Sequence, residues 1–402
     1  MRILLITSSF LPSLGGAEIG LHNIAVQLLK KGHEPTVLAP FSHVQGLKRK
    51  GWELPYPVLS IPPRLLHWYD RFPKMGTCLL EWFFRWVQSR HQFDFWHATF
   101  GYPVGIVSVK FCRKRQIPHL VRCVGEDIQQ DESIGYGMRL DPRIDRRICE
   151  GLNDSQVLVA TTETVKKEYE AIGISDDKIA MIPNGVELSR FSHFDQNKKS
   201  IREKLGFSGD DFVCVCVGRF HPKKNFHQIL DAAEAIKKEE GETSGIRFLI
   251  GGKGVGTLNE MIESRGLNGI VKTIEPDSSQ DPSIGYVPQF PSDQVLEWYS
   301  AGDVFLMPSL IETFGIVTVE AMAMGLPVIA ADAPGSRDIL EGSKFGILYD
   351  GSVDGLLSSL SSVRHSPSEI ERLKKCSEVR SQDFDWSEIV GRYLEVYQGR
   401  NQ

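Results

Sequence analysis

The sequence predicts an α/β protein made of two doubly wound parallel-sheet domains. Its length of 402 residues corresponds to two or three domains of roughly 150 residues each. Two segments, 2–39 and 303–331, each have the order strand, helix, strand. A crossover helix requires that the two strands it joins run parallel, so we expect a parallel sheet in each half of the chain.

The later segment shows its elements most clearly. Asp303–Met307 is an apolar run long enough for one buried strand, and Pro308–Phe314 is a polar turn. Gly315–Met324 has helix formers at helical spacing, stops at Gly325, and precedes a second apolar strand, Pro327–Ala331. The amino end of such a helix presents unpaired N–H groups and a partial positive charge, so it suits an anion such as a phosphate.

Two acidic residues flank this predicted anion site. Glu312 precedes the helix, and Glu320 lies about one turn into it, on the face of the helix start. Gly315 allows a ligand to approach the backbone. A nucleotide sugar fits this pattern, because each carboxylate would accept hydrogen bonds from hydroxyl groups on either side of a diphosphate. Either glutamate alone is more simply explained as a solvated surface residue.

The string that begins at Glu312, ETFGIVTVEAMAMGLPVIA, resembles the E-x7-E signature of the family 4 glycosyltransferases. These are retaining enzymes of the GT-B fold, so the resemblance implies two Rossmann-like domains that face each other across a cleft. It also implies that Glu312 lies near the donor sugar and Glu320 on the ribose. The backbone at the phosphate and sugar would belong to Phe314, Gly315 and Ile316.

Composition narrows the class of protein. The net charge of −5 and the pI near 6.2 give no basis for nucleic-acid binding. No window approaches the ~20 apolar residues of a membrane span. The seven cysteines are scattered without metal-ligand spacing, and we interpret them as reduced thiols of a cytoplasmic protein. We therefore predict no metal and no cofactor.

The amino-terminal segment contains a strand, Arg2–Thr7, an amphipathic helix, Ala17–Lys31, and a second strand, Pro35–Ala39. Gly15 and Gly16 lead into the helix. They lack the G-x-G-x-x-G spacing of a nicotinamide site, and a tight turn explains them as well as an approaching ligand does. In the family, a G-G-A-E loop at this place helps to bind the acceptor or the phosphate, so the resemblance makes both glycines donor-site candidates.

The stretch 64–91 combines aromatic and basic side chains, which is typical of an interfacial membrane helix. A buried amphipathic helix gives the same pattern and is the commoner case. We therefore keep peripheral membrane contact as an alternative hypothesis. The residues concerned are Trp68, Trp82, Phe83, Phe84 and Trp86, with Arg64, Arg71, Lys74, Arg85 and Arg90.

Two further strands of the first half end near polar residues. Phe93–Trp96 is predicted to end at His97, where the family commonly has a histidine beside the donor sugar. His119–Val124 is followed by Glu126 and Asp127, which we take as acceptor-side candidates. The family often has His-Gly where this chain has Val-Gly, which weakens the assignment. A lone histidine or a turn aspartate is often structural.

The domain boundary is predicted at the P-N-G-V turn, which resembles the family's link between domains. Residues 1–185 would form the acceptor-side domain and 186–385 the donor-binding domain. The helix within 386–402 would cross back to the first domain, as it does in the family. The sequence D-F-D at 383–385 is formally a metal-nucleotide motif of another architecture, but we interpret it as a helix N-cap.

The second half offers cations at a strand end. Phe212–Val217 is a continuous apolar run followed by Gly218, Arg219 and Lys224. Ligands of parallel sheets bind beyond the carboxyl ends of the strands, and a guanidinium with an ammonium would balance a diphosphate. A solvated basic loop is the alternative. The family's G-R-x4-K string matches here and implies that Arg219 and Lys224 hold the diphosphate as leaving group. Lys223 lies outside this pattern.

The last donor-binding candidate is Val287, at the end of a predicted strand, 284–287. This strand end resembles the family's contact to the nucleotide base. The glycine-rich turn after Ile246–Ile250 lacks G-K-[ST] and is not a P-loop.

From these residues we predict a retaining glycosyltransferase of hexosyltransferase type. It would use a UDP- or GDP-sugar and an unidentified glycan, lipid-linked or small-molecule acceptor, at a cytoplasmic or peripheral inner-membrane location. The catalytic candidates are Arg219, Lys224, Glu312 and His97. Alternatives are a nucleotide-sugar epimerase and a non-catalytic sugar-nucleotide-binding protein, whereas a nicotinamide oxidoreductase is disfavoured.

Overall fold

The computed structural model of this chain describes residues 1–192, 194, 197–241, 244–277 and 287–399. The chain forms two compact units. The first contains residues 1–184 and the terminal helix, Trp386–Tyr397, and the second contains most of residues 185–385. Each unit has one parallel sheet with helices between its strands, which confirms the predicted two-domain α/β, Rossmann-like architecture.

The first unit contains a seven-stranded sheet in which every neighbouring pair is parallel. The strand order is β3-β2-β1-β4-β5-β6-β7, so the direction of winding reverses between β1 and β4. The strands are β1 (Arg2–Thr7), β2 (Glu34–Pro40), β3 (Val58–Ile61), β4 (Phe95–Thr99), β5 (His119–Arg122), β6 (Val157–Ala160) and β7 (Ile179–Met181).

Seven helices accompany this sheet, and the terminal helix packs against the first of them. They are α1 (Gly16–Lys30), α2 (Phe41–Lys50), α3 (Leu65–Arg71), α4 (Pro73–His91), α5 (Ile106–Arg115), α6 (Pro142–Asn153) and α7 (Glu163–Ala171).

Two strands of this unit differ from the prediction by two or more residues at one or both ends. β4 runs from Phe95 to Thr99 and not from Phe93 to Trp96, and the side chain of Asp94, just before it, accepts the Arg2 N–H at 2.7 Å. His97 is therefore central in the strand and not at its end. β5 stops at Arg122, because the carboxylate of Asp127 takes the backbone N–H groups of the following residues.

The second unit contains a six-stranded parallel sheet in the order β10-β9-β8-β11-β12-β13, with the reversal between β8 and β11. The predicted strand 284–287 lies outside the described residues except for Val287, which is exposed. The strands are β8 (Phe212–Val217), β9 (Ile246–Gly251), β10 (Val271–Ile274), β11 (Val304–Met307), β12 (Val328–Ala331) and β13 (Ile347–Tyr349).

The helices of the second unit surround a core of the buried apolar strands. They are α8 (Leu188–Ser192), α9 (Lys198–Leu205), α10 (Phe226–Glu240), α11 (Asn259–Ser264), α12 (Asp293–Ala301), α13 (Ile316–Ala323), α14 (Ser336–Ile339), α15 (Val353–Arg364) and α16 (Pro367–Ser381).

Candidate active site

Four loops meet at the carboxyl edge of the second unit's sheet, where parallel sheets bind ligands. They follow β8, β9, β11 and β12, and backbone hydrogen bonds join them. These bonds run from Phe220 N–H to Lys253 O (2.9 Å), from Leu310 N–H to Lys223 O (2.8 Å) and from Glu312 N–H to Pro334 O (3.0 Å). Backbone hydrogen bonds thus connect the four loops to one another along this edge.

The loops after β8 and β9 touch through two glycines. Gly252 has a φ of +148°, and a Cβ on it would lie 1.9 Å from the carbonyl oxygen of Gly218. Such a distance is far inside van der Waals contact, so only glycine allows this approach of the two backbones.

We expect Gly252→Ala to lower the free energy of unfolding by at least about 2 kcal/mol, because it combines a strained φ with a backbone clash. Thermal unfolding measures the effect. Gly209→Ala is the matched control, since a Cβ on Gly209 meets nothing within 4 Å. Equal melting temperatures for the two variants would contradict the close approach.

Glu312 lies at the centre of the polar residues on this edge. Its Oε1 is 2.7 Å from Lys224 Nζ, its Oε2 is 3.6 Å from Lys223 Nζ, and all three side chains are largely buried. Burial by itself would raise the pKa of Glu312, but the charges of the two lysines outweigh it and lower that pKa to about 2. Glu312 is thus ionised near neutral pH, and Lys223, which the sequence pattern left out, belongs to the cluster.

The two lysines that contact Glu312 belong to the 3₁₀ turn Pro222–Lys224. In this turn the His221 side chain accepts a hydrogen bond from the Lys223 N–H. Lys224 extends over Gly218, where a Cβ would stand 3.1 Å from its Cε. Arg219 is exposed and, within the described part of the chain, makes no ion pair or side-chain hydrogen bond. The exposed guanidinium of Arg219 is therefore available to an anion, whereas the ammonium of Lys224 is held by Glu312.

Helix α13 begins at this edge, and Gly315 is its N-cap with a φ of +83°. Phe314 is buried and packs edge-on against Phe384 at 5.4 Å between ring centroids. Ile316 is the first helical residue, and a Cβ on Gly315 would stand 3.9 Å from Glu312 Cγ, so the start of the helix lies close to this acid. That these N–H groups bind a phosphate stays a prediction.

Glu320 is buried within α13 and accepts a hydrogen bond of 2.7 Å from the hydroxyl of Tyr299. Burial raises the pKa of Glu320 to about 7, while Tyr299 and the charge of Lys224 act in the opposite direction. Lys224 thus influences both acids, and the two carboxylates differ in ionisation, because Glu312 has close cations and Glu320 does not. No sequence pattern had indicated that Tyr299 is part of this site.

The donor-side candidates of the first unit are Gly15 and Gly16 at the start of α1 and His97 in the interior. Gly15 is the N-cap of α1 and Gly16 its first residue, as a ligand-accessible helix start requires. His97 is fully buried, its Nδ1 lies 2.7 Å from the hydroxyl of Tyr397, and its ring stacks on Tyr393. Burial lowers the pKa of His97 well below its ordinary value, so the imidazole is neutral and packs against the terminal helix.

The two acceptor-side candidates differ in their exposure to solvent. Glu126 is exposed, whereas Asp127 is buried. The carboxylate of Asp127 accepts the backbone N–H groups of Gly101 at 2.6 Å and of Val124 and Gly125 at 2.9 Å each. Asp127 therefore lies in the interior, where its carboxylate binds backbone N–H groups, and not on an exposed acceptor-side surface.

A buried arginine also escaped the sequence analysis. Arg122 ends β5, is fully buried, and donates from Nη2 to the side-chain oxygen of Asn184, the last residue before the second unit. A Cβ on Gly20 would lie 3.2 Å from the same Nη2, so the guanidinium packs closely against α1 at this glycine. A single arginine in a strand gives no sequence signal of this kind.

No group of three or more His, Cys, Asp or Glu side chains in the described ranges is arranged to hold a metal ion. The candidate polar groups at the edge of the second sheet include Arg219, Lys223, Lys224, Glu312, Glu320 and the start of α13.

Two family models match the chain: Glycosyl transferases group 1 over residues 197–379 and Glycosyltransferase Family 4 over residues 14–190. The alpha-monoglucosyldiacylglycerol synthase of Streptococcus pneumoniae is 25% identical over 395 residues, which cover 96% of this chain and 83% of the relative. The D-inositol 3-phosphate glycosyltransferase of Thermomonospora curvata is 27% identical over 257 residues, which cover 61% of this chain and 57% of the relative.

Among solved structures, Anabaena HepE in complex with UDP and glucose matches with a TM-score of 0.76 at 20% identity, over 99% of this chain and 100% of that chain. A likeness of this extent over both units gives the chain the GT-B glycosyltransferase fold. The two family models between them span nearly the whole sequence, and the chain belongs to the family 4 glycosyltransferases that they describe.

Proposed function

We propose that this protein transfers a sugar, of hexose type, from a UDP- or GDP-sugar to an acceptor hydroxyl with retention at the anomeric carbon. The observation that carries the proposal is the contact of Lys224 with the buried Glu312 at the edge where α13 begins, with Arg219 exposed after the same strand as Lys224 and Glu320 buried in α13. The positive groups match a diphosphate, and the two carboxylates match the hydroxyls of ribose and sugar.

In this proposal the second unit, 186–385, binds the donor and the first, 1–185, contributes the acceptor side. Negative charge develops on the departing diphosphate, so cations fixed in advance stabilise the transition state more than the ground state. The sequence offers no nucleophile pair, and we infer a front-face route in which the leaving diphosphate helps to deprotonate the acceptor. No metal is needed in it, because lysine and arginine supply the charge.

The first experiment is a thermal-shift screen with UDP-, GDP-, ADP- and dTDP-sugars. A UDP- or GDP-sugar should raise the melting temperature, since it binds only the folded state. Incubation of that donor with candidate acceptors, followed by NMR of the anomeric proton, then reads the linkage. Inversion at the anomeric carbon would refute retention, and no shift with any nucleotide sugar would refute the donor site.

Two alternatives make different predictions. A nucleotide-sugar epimerase of the same fold would convert the donor without an acceptor, and a non-catalytic binding protein would bind the donor without transfer or hydrolysis. Calorimetry combined with a product assay, run with and without acceptor, distinguishes all three. The complete set Arg219, Lys224, Glu312 and Glu320 favours an enzyme, because a binding protein need not keep charges that act on a leaving group.

The proposed ribose contact makes donor affinity depend on pH. Glu320 accepts hydroxyl hydrogen bonds best as a carboxylate, and its pKa is about 7. The dissociation constant of an intact nucleotide sugar should therefore rise by up to about tenfold per pH unit below 7 and level off above it. An intact nucleotide sugar is the right probe, because its diphosphate does not itself titrate in this range.

Calorimetry between pH 5.5 and pH 8.5 measures this dependence. Glu320→Gln should bind more weakly and without the pH dependence. Tyr299→Phe removes the hydrogen bond that favours the carboxylate, and it should move the midpoint to higher pH. A wild-type affinity that does not change across this range would contradict the assignment of Glu320 to the ribose.

The acceptor is proposed to be a glycan, a lipid-linked sugar or a small molecule, and the location to be cytoplasmic. The relatives include a glycolipid synthase and an inositol phosphate glycosyltransferase, which support a lipid and a small molecule alike. The hypothesis that residues 64–91 contact a membrane is independent of the donor site.

A further inference from the structure

The exposed tryptophans of this protein are concentrated on one part of its surface. Of the seven tryptophans in the chain, Trp52, Trp96, Trp298 and Trp386 are buried. The other three are Trp68 on α3 and Trp82 and Trp86 on α4, with 44%, 69% and 50% of their surfaces exposed. A soluble protein rarely leaves several large aromatic side chains in water at one place without a use for them.

Helix α4 has two distinct apolar faces. One face packs into the core through Gly76, Leu80, Phe83, Phe84 and Val87. The opposite face carries Met75, Trp82 and Trp86, whose spacing of seven and four residues forms one stripe along the helix. The inward face accounts for the buried amphipathic helix that the sequence suggested, but the outward stripe has no role in the core.

Helix α3 packs directly against α4 and carries a further exposed tryptophan, Trp68. A Cβ on Gly76 would stand 2.3 Å from Tyr69 Cα, so glycine allows α3 and α4 to pack backbone against backbone. Phe72, between the two helices, is 55% exposed. We call the exposed side chains of this helical pair the aromatic face: Trp68, Phe72, Met75, Trp82 and Trp86.

Basic residues surround the aromatic face although the whole chain has a net charge of −5. All five basic side chains of the stretch are exposed: Arg64, Arg71, Lys74, Arg85 and Arg90. Its two acids are engaged elsewhere, because Asp70 accepts the Tyr102 hydroxyl at 2.9 Å and Glu81 pairs with Lys114 of α5 at 2.9 Å. The local charge is therefore opposite in sign to that of the protein.

We propose that the aromatic face docks on the anionic surface of a lipid bilayer. Tryptophan and phenylalanine side chains enter the headgroup region, and the five basic residues lie against lipid phosphates, as in interfacial helices. A second copy of the chain is a poorer occupant, because a twofold interface would bring the same cations together. Within the described residues no helix is long and apolar enough to cross a bilayer, so contact would be peripheral.

The test is co-sedimentation of the full chain with phosphatidylglycerol-containing vesicles and with pure phosphatidylcholine vesicles, without donor. We expect binding to the anionic vesicles only, and at low rather than high salt. Trp82→Ser with Trp86→Ser should reduce the partition coefficient at least about tenfold, because two exposed apolar anchors are lost. Val379→Ser, at an exposed apolar position of α16, is the matched control and should bind as the wild type does.

A second pair of variants tests the charges. Lys74→Glu with Arg85→Glu should abolish binding to anionic vesicles. The control, Lys238→Glu with Lys375→Glu, changes the net charge by the same amount at exposed positions elsewhere and should retain most of the binding. Quenching of tryptophan fluorescence by brominated lipid should report insertion, since the exposed tryptophans all lie on this face. Donor binding by calorimetry should be unchanged in all variants, which separates this proposal from that of the sugar transfer.

Three results would overturn the proposal. One is no binding to anionic vesicles by the wild type. Another is equal loss of binding in the α16 control and the tryptophan variant. The third is a dimer in analytical ultracentrifugation that Trp82→Ser dissociates, which would assign the aromatic face to self-association.

Discussion

Replacing Lys224 by alanine is expected to lower kcat at saturating donor by about 10²- to 10³-fold, as is typical when one preorganised group is removed from a developing negative charge. Lys224 is held 2.7 Å from Glu312 and largely buried, so its charge is fixed in position and weakly screened. The proposed leaving group gains charge in the transition state. The loss should therefore appear in kcat and not only in donor affinity.

Lys224→Ala also leaves the buried Glu312 with only the more distant Lys223, so a lower melting temperature is expected as well. Arg219→Ala separates the two effects. Arg219 is exposed and has no side-chain partner among the described residues, so its removal should change stability by less than about 0.5 kcal/mol while lowering both donor affinity and kcat.

Steady-state kinetics with the donor found in the screen, together with melting temperatures, measure both variants. Lys238→Ala, at an exposed position of α10, is the control for loss of a positive charge. Wild-type kcat in Arg219→Ala and Lys224→Ala at saturating donor would contradict leaving-group stabilisation by these cations.

Glu312→Gln is expected to destabilise the protein on the order of 3 kcal/mol near neutral pH, because it leaves two buried lysines without their carboxylate. The folded-state pKa of Glu312 is about 2, below its ordinary value of 4.5. The stabilisation is therefore complete above about pH 4.5 and is lost as the pH falls toward 2. The difference between wild type and variant should accordingly shrink by about half at pH 3.

Denaturant unfolding at pH 7 and pH 3 measures this difference. Glu260→Gln, at an exposed position of α11, controls for the loss of one carboxylate and should match the wild type at both pH values. In binding, Glu312→Gln should retain the nucleoside diphosphate, since a repelling charge is removed, and should lose affinity for the intact nucleotide sugar. The same deficit at pH 3 as at pH 7 would show that the ion pair is not its cause.

Local sequence patterns predicted the elements of the fold where the local signal is strong. The apolar run Phe212–Val217 is a strand with the predicted bounds, and so is Arg2–Thr7. The prediction was wrong where a side chain takes over backbone hydrogen bonding, as Asp127 does after β5. It was also wrong at His97, since apolar residues on both sides carry β4 past the histidine.

The site was predictable in its residue types but not in its pairings. Glycine, cations and acids at strand ends and at a helix start pointed to Arg219, Lys224, Glu312 and Glu320. The participation of Lys223 and the hydrogen bond from Tyr299 to Glu320 depend on loops and helices that are distant in sequence. No local pattern encodes which loops meet.

The sequence by itself determined that the chain is α/β in both halves. It also determined that basic residues follow one strand and that an acid precedes one helix. Periodicity and strand-end chemistry are local properties. Only the tertiary structure decided which acid is ionised and which aromatic side chains stay in water. Ionisation depends on burial and on the distance to neighbouring charges, and exposure depends on which helices cover a face. Glu312 and Glu320, alike in the sequence, therefore have pKa values of about 2 and about 7 in the folded protein.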